Sequence, residues 1–144
     1  MSDTPQVLLQ HHLRKLKLPT FQSEHAKLAR QCAAEGKDHV QYLLRLCELE
    51  LIERERRMIE RRIKAAKFPA TKSLDSFDFK AIPKLNKMQV LELARCEWIE
   101  RRENVIALGP SGTGKTHIAV GIARACIRGG ARGRFFNVVD LVNK

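Results

Sequence analysis

The residues best suited to chemistry in this sequence form one loop, Gly109–Thr116, which reads GPSGTGKT. It matches the pattern G-x-x-x-x-G-K-[ST] at every fixed position. Its glycines allow the backbone to curl so that successive N–H groups point at phosphate oxygens. Lys115 supplies a mobile positive charge for the β and γ phosphates, and the Thr116 hydroxyl is suited to coordinating Mg²⁺. The pattern therefore predicts a binding site for ATP and Mg²⁺.

The sequence on either side of the loop supports the same interpretation. The short apolar run Val105–Leu108 is typical of a buried parallel strand, and a helix is predicted from about Lys115 to Ile127. The positive end of that helix would face the phosphates. For His117, a structural role on the helix competes with an approach to the phosphates. The predicted nucleotide-binding residues are Gly109, Pro110, Ser111, Gly112, Thr113, Gly114, Lys115, Thr116 and His117, with Thr116 also predicted to bind the metal.

No other group of residues indicates chemistry, and no catalytic residue is predicted. The four cysteines, Cys32, Cys47, Cys96 and Cys126, are too far apart in sequence for a metal-binding clip. They lie among apolar residues in helix-like segments, which predicts reduced core thiols. The N-terminus does not resemble a signal peptide, and no apolar stretch approaches a membrane span. These features predict a cytoplasmic protein.

The elements before the loop are predicted to be helical. Thr4-Pro5 opens a first helix, Thr20 is a candidate cap for a second, and the Asp38/Gln41 pair is a capping box for a third, from about His39 to Lys67. A non-periodic connector and a further helix beginning after Asn86 lead to the loop. After it, a second strand is predicted at Arg134–Val138.

The net charge of +11 suggests a polyanionic partner, most often nucleic acid, although a solvated basic surface fits the composition equally well. The basic residues of the third helix are the best candidates for contacting DNA phosphates. The alternative is a solvated helix stabilised by acid–base pairs four residues apart. The candidate DNA-binding residues are Arg54, Arg57, Arg61 and Lys64.

Two long segments resemble the IstB family, the ATP-binding helper proteins of bacterial insertion sequences. They read ERERRMIERRIKAAKFPATKSLDSFDF and LELARCEWIERRENVIALGPSGTGKTHIA. The family is related to DnaC-type helicase loaders among the AAA+ ATPases. The resemblance implies an α/β fold: a helical N-terminal domain over residues 1–67, a connector over 68–103, and over 104–144 the first part of an AAA+ P-loop core with an incomplete parallel sheet.

The resemblance also implies partners and residue roles. IstB-like proteins bind double-stranded DNA, assemble with one another in the presence of ATP, and work with a partner transposase. By motif match, Gly112, Gly114, Lys115 and Thr116 would contact the nucleotide. The segment Phe77–Phe79 would lie near the base. A DnaC-like helicase loader and a DNA-binding or interaction module with a vestigial P-loop are the alternatives.

The sequence departs from the AAA+ pattern after the loop. An AAA+ core also needs a strand ending in Asp-Glu (the Walker B motif), a polar sensor and an arginine finger, and only 29 residues follow Lys115. Asp140 is a poor candidate for the acidic motif, since Asn137 breaks the apolar run before it. The chain thus resembles the front half of an IstB-like protein. We expect weak nucleotide binding and little or no hydrolysis from it alone.

Overall fold

The structure is a computed structural model that describes residues 4–69 and 72–143. These residues fall into two compact units, the first ending at Met58 and the second beginning at Ile59. No helix among the described residues is long and apolar enough to cross a membrane. The helices are α1 (Pro5–Lys15), α2 (Pro19–Ala34), α3 (His39–Ala66), a 3₁₀ turn (Phe79–Ala81), α4 (Lys87–Leu93), α5 (Glu97–Glu100), α6 (Lys115–Arg128) and α7 (Val138–Val142).

Several helices begin where their capping residues predict. The backbone N–H of Gln41 donates to the Asp38 carboxylate at 2.8 Å, which completes the predicted cap of α3. In the same way, the N–H of Gln89 donates to the Asn86 side chain at 3.3 Å at the start of α4. The predictions of these two helix starts are therefore confirmed.

The start of α2 differs from the prediction, because Thr20 is not its cap. The helix begins at Pro19, and its N-cap residue makes no side-chain hydrogen bond. A carboxylate from α3 serves instead: Glu50 is 3% exposed and accepts a 2.9 Å hydrogen bond from the Thr20 N–H. A buried anion at a helix N-terminus satisfies free N–H groups and opposes the helix dipole.

The Glu50 carboxylate is held ionised by its surroundings. Burial acts to raise its pKa, but hydrogen bonds from Thr20 and from Arg54 outweigh burial and lower the pKa from its ordinary value of 4.5. The Arg54 Nε and an Arg57 terminal nitrogen both lie 3.2 Å from Glu50 Oε1. Glu50 therefore links α2 to α3 as a carboxylate.

We expect Glu50→Gln to lower the free energy of unfolding by about 2 kcal/mol at neutral pH, because charge-assisted hydrogen bonds are lost. A carboxylate with a lowered folded-state pKa stabilises the fold above its unfolded-state pKa, and this contribution is lost as pH falls through the folded-state pKa. The free energy of unfolding of wild type should therefore approach that of Glu50→Gln as the pH falls below 4.5. Urea denaturation at several pH values measures this, with the exposed Glu48→Gln as control. Equal stability of wild type and Glu50→Gln at pH 7 would contradict the assignment.

The predicted α/β fold class is wrong, because no strand or sheet occurs in residues 4–69 and 72–143. Val105–Leu108 lies in an irregular segment, and the Phe135 N–H donates to the Ala66 carbonyl at 2.8 Å instead of to a neighbouring strand. Val138, the predicted end of the second strand, begins α7. A parallel strand forms only with neighbours to complete its hydrogen-bond ladder, and neither segment has one here.

The second unit has a small core on α6, where Val90, Ile122 and Cys126 are buried against one another. Beside it lies a groove of about 790 Å³, one wall of which is residues 105–110. Ile106 and Leu108 remain 79% and 89% exposed. The apolar run thus has the composition of a buried strand without the layers that would bury it.

The prediction of four reduced core thiols is wrong for three of them. Cys96, just before α5, forms a disulfide with Cys126 of α6, and the two Cα atoms are 5.6 Å apart. Packing of α6 against the turn before α5 brings the pair together, so sequence spacing did not reveal it. Cys32 is buried and free as predicted, whereas Cys47 is free but exposed.

Candidate nucleotide-binding site

The Gly109–Thr116 loop leads directly into α6, which begins at Lys115. Gly112 and Gly114 have φ angles of +75° and +85°, in the left-handed region that favours glycine. These two residues turn the backbone immediately before the helix. The loop therefore has its predicted place at a helix N-terminus, although it follows an irregular segment and not a strand.

The backbone donors of this loop have no well-placed acceptor among residues 4–69 and 72–143. Among the described residues, none of the N–H groups from Ser111 to Thr116 donates a well-aligned hydrogen bond, and the first such bond of the helix runs from the Ile118 N–H to the Gly114 carbonyl. Six successive donors at the positive end of a 14-residue helix are suited to binding an anion. This is the chemistry that a phosphate group requires.

The Lys115 side chain is folded back onto the loop. Its ammonium donates to the Gly109 carbonyl at 2.7 Å and also to the Pro110 carbonyl. The Thr113 hydroxyl donates to the same Pro110 carbonyl at 2.8 Å. A phosphate bound at the loop would offer this ammonium charged acceptors in place of neutral ones. Thr116, in the first turn of α6, is exposed and so is accessible to a metal ion carried by a nucleotide.

His117 contacts the connector before α4. Its Nε2 lies 2.8 Å from the Ser73 carbonyl oxygen and 3.2 Å from the Ser76 hydroxyl, and its ring packs edge-to-face on Phe77 with centroids 5.1 Å apart. Of the two roles considered for His117, these contacts favour the structural one.

Phe77, in the segment Phe77–Phe79 that is predicted to lie near the base, contacts the loop. A Cβ atom added to Gly114 would stand 2.7 Å from the Phe77 ring, so the two residues are in close contact. Phe79 packs edge-to-face on Phe77 with centroids 4.8 Å apart. Sequence reasoning missed Ser73, Leu74 and Ser76 as neighbours of α6. Only the resemblance to the IstB family pointed to this part of the chain, through Phe77–Phe79.

The four candidate DNA-binding residues divide into two pairs. Arg54 donates to Glu50 and to the Lys17 carbonyl, and Arg57 donates to Glu50 and to the Glu53 carbonyl. These two guanidinium groups stabilise the first unit. The side chains of Arg61 and Lys64 are exposed and make no hydrogen bond or ion pair with the described residues. The second pair is the one available to a phosphate backbone.

Comparison with known proteins gives consistent matches. The family model described as "IstB-like ATP binding protein" matches residues 11–144. A protein of Geobacillus stearothermophilus, named for ATP binding in insertion sequence IS5376, is 34% identical over 136 residues. One of Sinorhizobium fredii is 38% identical over 133 residues, and one of Pseudomonas aeruginosa, from insertion sequence IS21, is 34% identical over 130 residues. Both are also named for ATP binding in insertion sequences.

These matches cover nearly all of this chain but only part of each relative. They include 94%, 92% and 90% of this chain, against 54%, 45% and 49% of the three relatives. The chain therefore spans about half the length of the curated relatives it matches.

Proposed function

This chain belongs to the family of IstB-like ATP-binding proteins of insertion sequences, and on that premise we propose that its Gly109–Thr116 loop binds the phosphates of ATP. The observation that carries the proposal is the run of N–H groups from Ser111 to Thr116 at the start of α6, for which the described residues supply no well-placed acceptor. Lys115, already at the loop, would turn its ammonium from the backbone carbonyls to the β and γ phosphates.

Mg²⁺ would enter this site with the nucleotide, held on the protein side by the Thr116 hydroxyl. Hydrolysis is not part of the proposal. No Asp-Glu pair follows Lys115 in the sequence, and phosphoryl transfer depends on groups that position the metal ion and the attacking water. The function proposed for this chain is nucleotide binding.

Calorimetric titration of the chain with ATP and Mg²⁺ tests the proposal. We expect saturable binding of one nucleotide per chain, with a dissociation constant in the range of about 10 μM to 1 mM, since a few charge-assisted hydrogen bonds supply only part of a full site's free energy. Inorganic tripolyphosphate should compete, because the loop recognises phosphate. No binding of either compound at millimolar concentration would contradict the proposal.

We further propose that the chain engages double-stranded DNA as part of a transposition helper that works with a partner transposase and associates with other copies of itself. The net charge of +11 supports a polyanionic partner, and the relatives are named for insertion sequences. The exposed side chains of Arg61 and Lys64 are suited to neutralising phosphates without reading the base sequence.

Reversing the charge of the exposed pair, with Arg61→Glu and Lys64→Glu together, is expected to abolish a low-salt gel shift with duplex DNA, because contacts to phosphates are replaced by repulsion. The matched control is Lys27→Glu with Arg30→Glu, which makes the same charge change at exposed positions on α2. The control should still shift the DNA. Equal behaviour of the two double variants would contradict a role for the α3 pair.

A further inference from the structure

Three contacts fasten residues 73–77 along one side of α6. The side chain of Leu74 lies against Gly121, the Ser73 carbonyl meets His117, and the ring of Phe77 lies against Gly114. Positions 114, 117 and 121 are three and four residues apart, the spacing that places residues on one helix face. The segment therefore follows the helix from its second turn to its N-terminus, where the phosphate loop ends.

Two glycines let this segment approach closely. A Cβ atom at Gly114 would be 2.7 Å from the Phe77 ring, and one at Gly121 would be 2.8 Å from Leu74 Cδ2 and 3.0 Å from the Leu74 backbone nitrogen. Any larger residue at Gly121 would push the backbone of the segment away from α6. Between the two glycines, His117 makes the polar contact.

The chemistry of the contact fixes the role of the imidazole. A carbonyl oxygen only accepts hydrogen bonds, so the 2.8 Å contact requires that His117 Nε2 carries a hydrogen and donates it to Ser73. The Ser76 hydroxyl donates to the same carbonyl at 3.0 Å. His117 thus joins the segment to α6 one residue beyond the last residue of the phosphate loop.

We propose that His117 is a positioning residue for the phosphate loop: its Nε2–H holds residues 73–77 on α6, and Phe77 thereby supports Gly114. Gly114 both precedes α6 and carries one of the free N–H groups, so supporting it fixes the direction of the donors before a phosphate arrives. Donors held in place in advance bind more tightly, because less ordering accompanies binding. This inference rests on the proposed nucleotide binding.

The test compares His117→Leu with His117→Gln, because glutamine can present an amide N–H near the position of Nε2 and leucine cannot. Affinities for ATP and for inorganic tripolyphosphate are measured at a temperature where circular dichroism shows both variants folded. We expect His117→Leu to lower the affinity for both ligands by about tenfold, the effect of one lost hydrogen bond. The affinities of His117→Gln should stay within about threefold of the wild-type values. A role in stability alone would lower the melting temperature and leave both affinities unchanged.

Unchanged affinity in His117→Leu, or equal weakening in both variants, overturns the positioning role. Lys115→Ala in the same titration separates this failure from failure of the proposed function. If Lys115→Ala loses binding while His117→Leu keeps it, the loop binds phosphate and His117 does not position it. If Lys115→Ala binds as wild type does, the proposed function fails, and the positioning role fails with it.

Discussion

Replacing Lys115 by alanine is expected to weaken ATP binding by about 30-fold, the equivalent of about 2 kcal/mol for a charge-assisted contact to phosphate. Lys115 is the one loop residue with a full positive charge, and its ammonium already lies at the Gly109 carbonyl. Alanine keeps the helix propensity of the first turn of α6 and removes the side chain beyond Cβ together with its charge. Calorimetric titration with ATP and Mg²⁺ measures the effect.

The control for this variant is Lys27→Ala, which removes the same charge from an exposed position on α2. It should bind ATP as wild type does, since Lys27 is not part of the loop and a change in net charge alone is largely screened at physiological ionic strength. If Lys115→Ala retained full affinity, the nucleotide would not bind at this loop and the proposed function would fail. If both variants lost affinity equally, the effect would come from net charge and not from the loop.

Removing the Cys96–Cys126 disulfide is expected to lower the free energy of unfolding of the second unit by about 3.5 kcal/mol, the chain-entropy estimate for a loop of this size. The bond joins positions separated by 30 residues and encloses the whole phosphate loop. Urea denaturation of the oxidised chain, the reduced chain and the Cys96→Ser variant measures the effect. The reduced chain and the variant should have similar midpoints, both below that of the oxidised chain.

The matched control is Cys47→Ser, because Cys47 is exposed and not part of the disulfide. The urea midpoint of Cys47→Ser should equal that of wild type. Reduction should lower both midpoints by the same amount. Identical midpoints for the oxidised and reduced wild-type chains would contradict a stabilising disulfide. If reduction also lowered the midpoint of Cys96→Ser, the effect would come from the remaining thiols and not from the disulfide.

The features that the sequence predicts correctly depend on residues close together along the chain. The cap formed by Asp38 and Gln41 involves a separation of three residues, and the 3.6-residue repeat of apolar positions in α3 extends over one helix. The Gly109–Thr116 pattern is local in the same way. The helix predicted after it is present as α6, whereas the role of its glycines and its lysine in nucleotide binding stays a prediction.

The features that the sequence did not predict depend on distant contacts. Glu50 caps a helix that begins 31 residues earlier, at Pro19, and the disulfide joins two separate elements. The composition of Val105–Leu108 is that of a buried strand, but composition does not supply the neighbouring strands that a ladder needs. The contact of His117 with Ser73 spans 44 residues, so no local pattern marked it.

The central claim, that the free N–H groups of the loop bind phosphate, is tested most directly by amide NMR of the ¹⁵N-labelled chain. On addition of ATP with Mg²⁺, the signals of Gly109 and of residues 111–116 should shift most and in a saturable manner, because their N–H groups acquire acceptors. Signals from α1 and α2 should remain in place, and tripolyphosphate should shift the same loop signals. Loop signals that stay unchanged at saturating ATP, or shifts confined to other segments, would contradict the account.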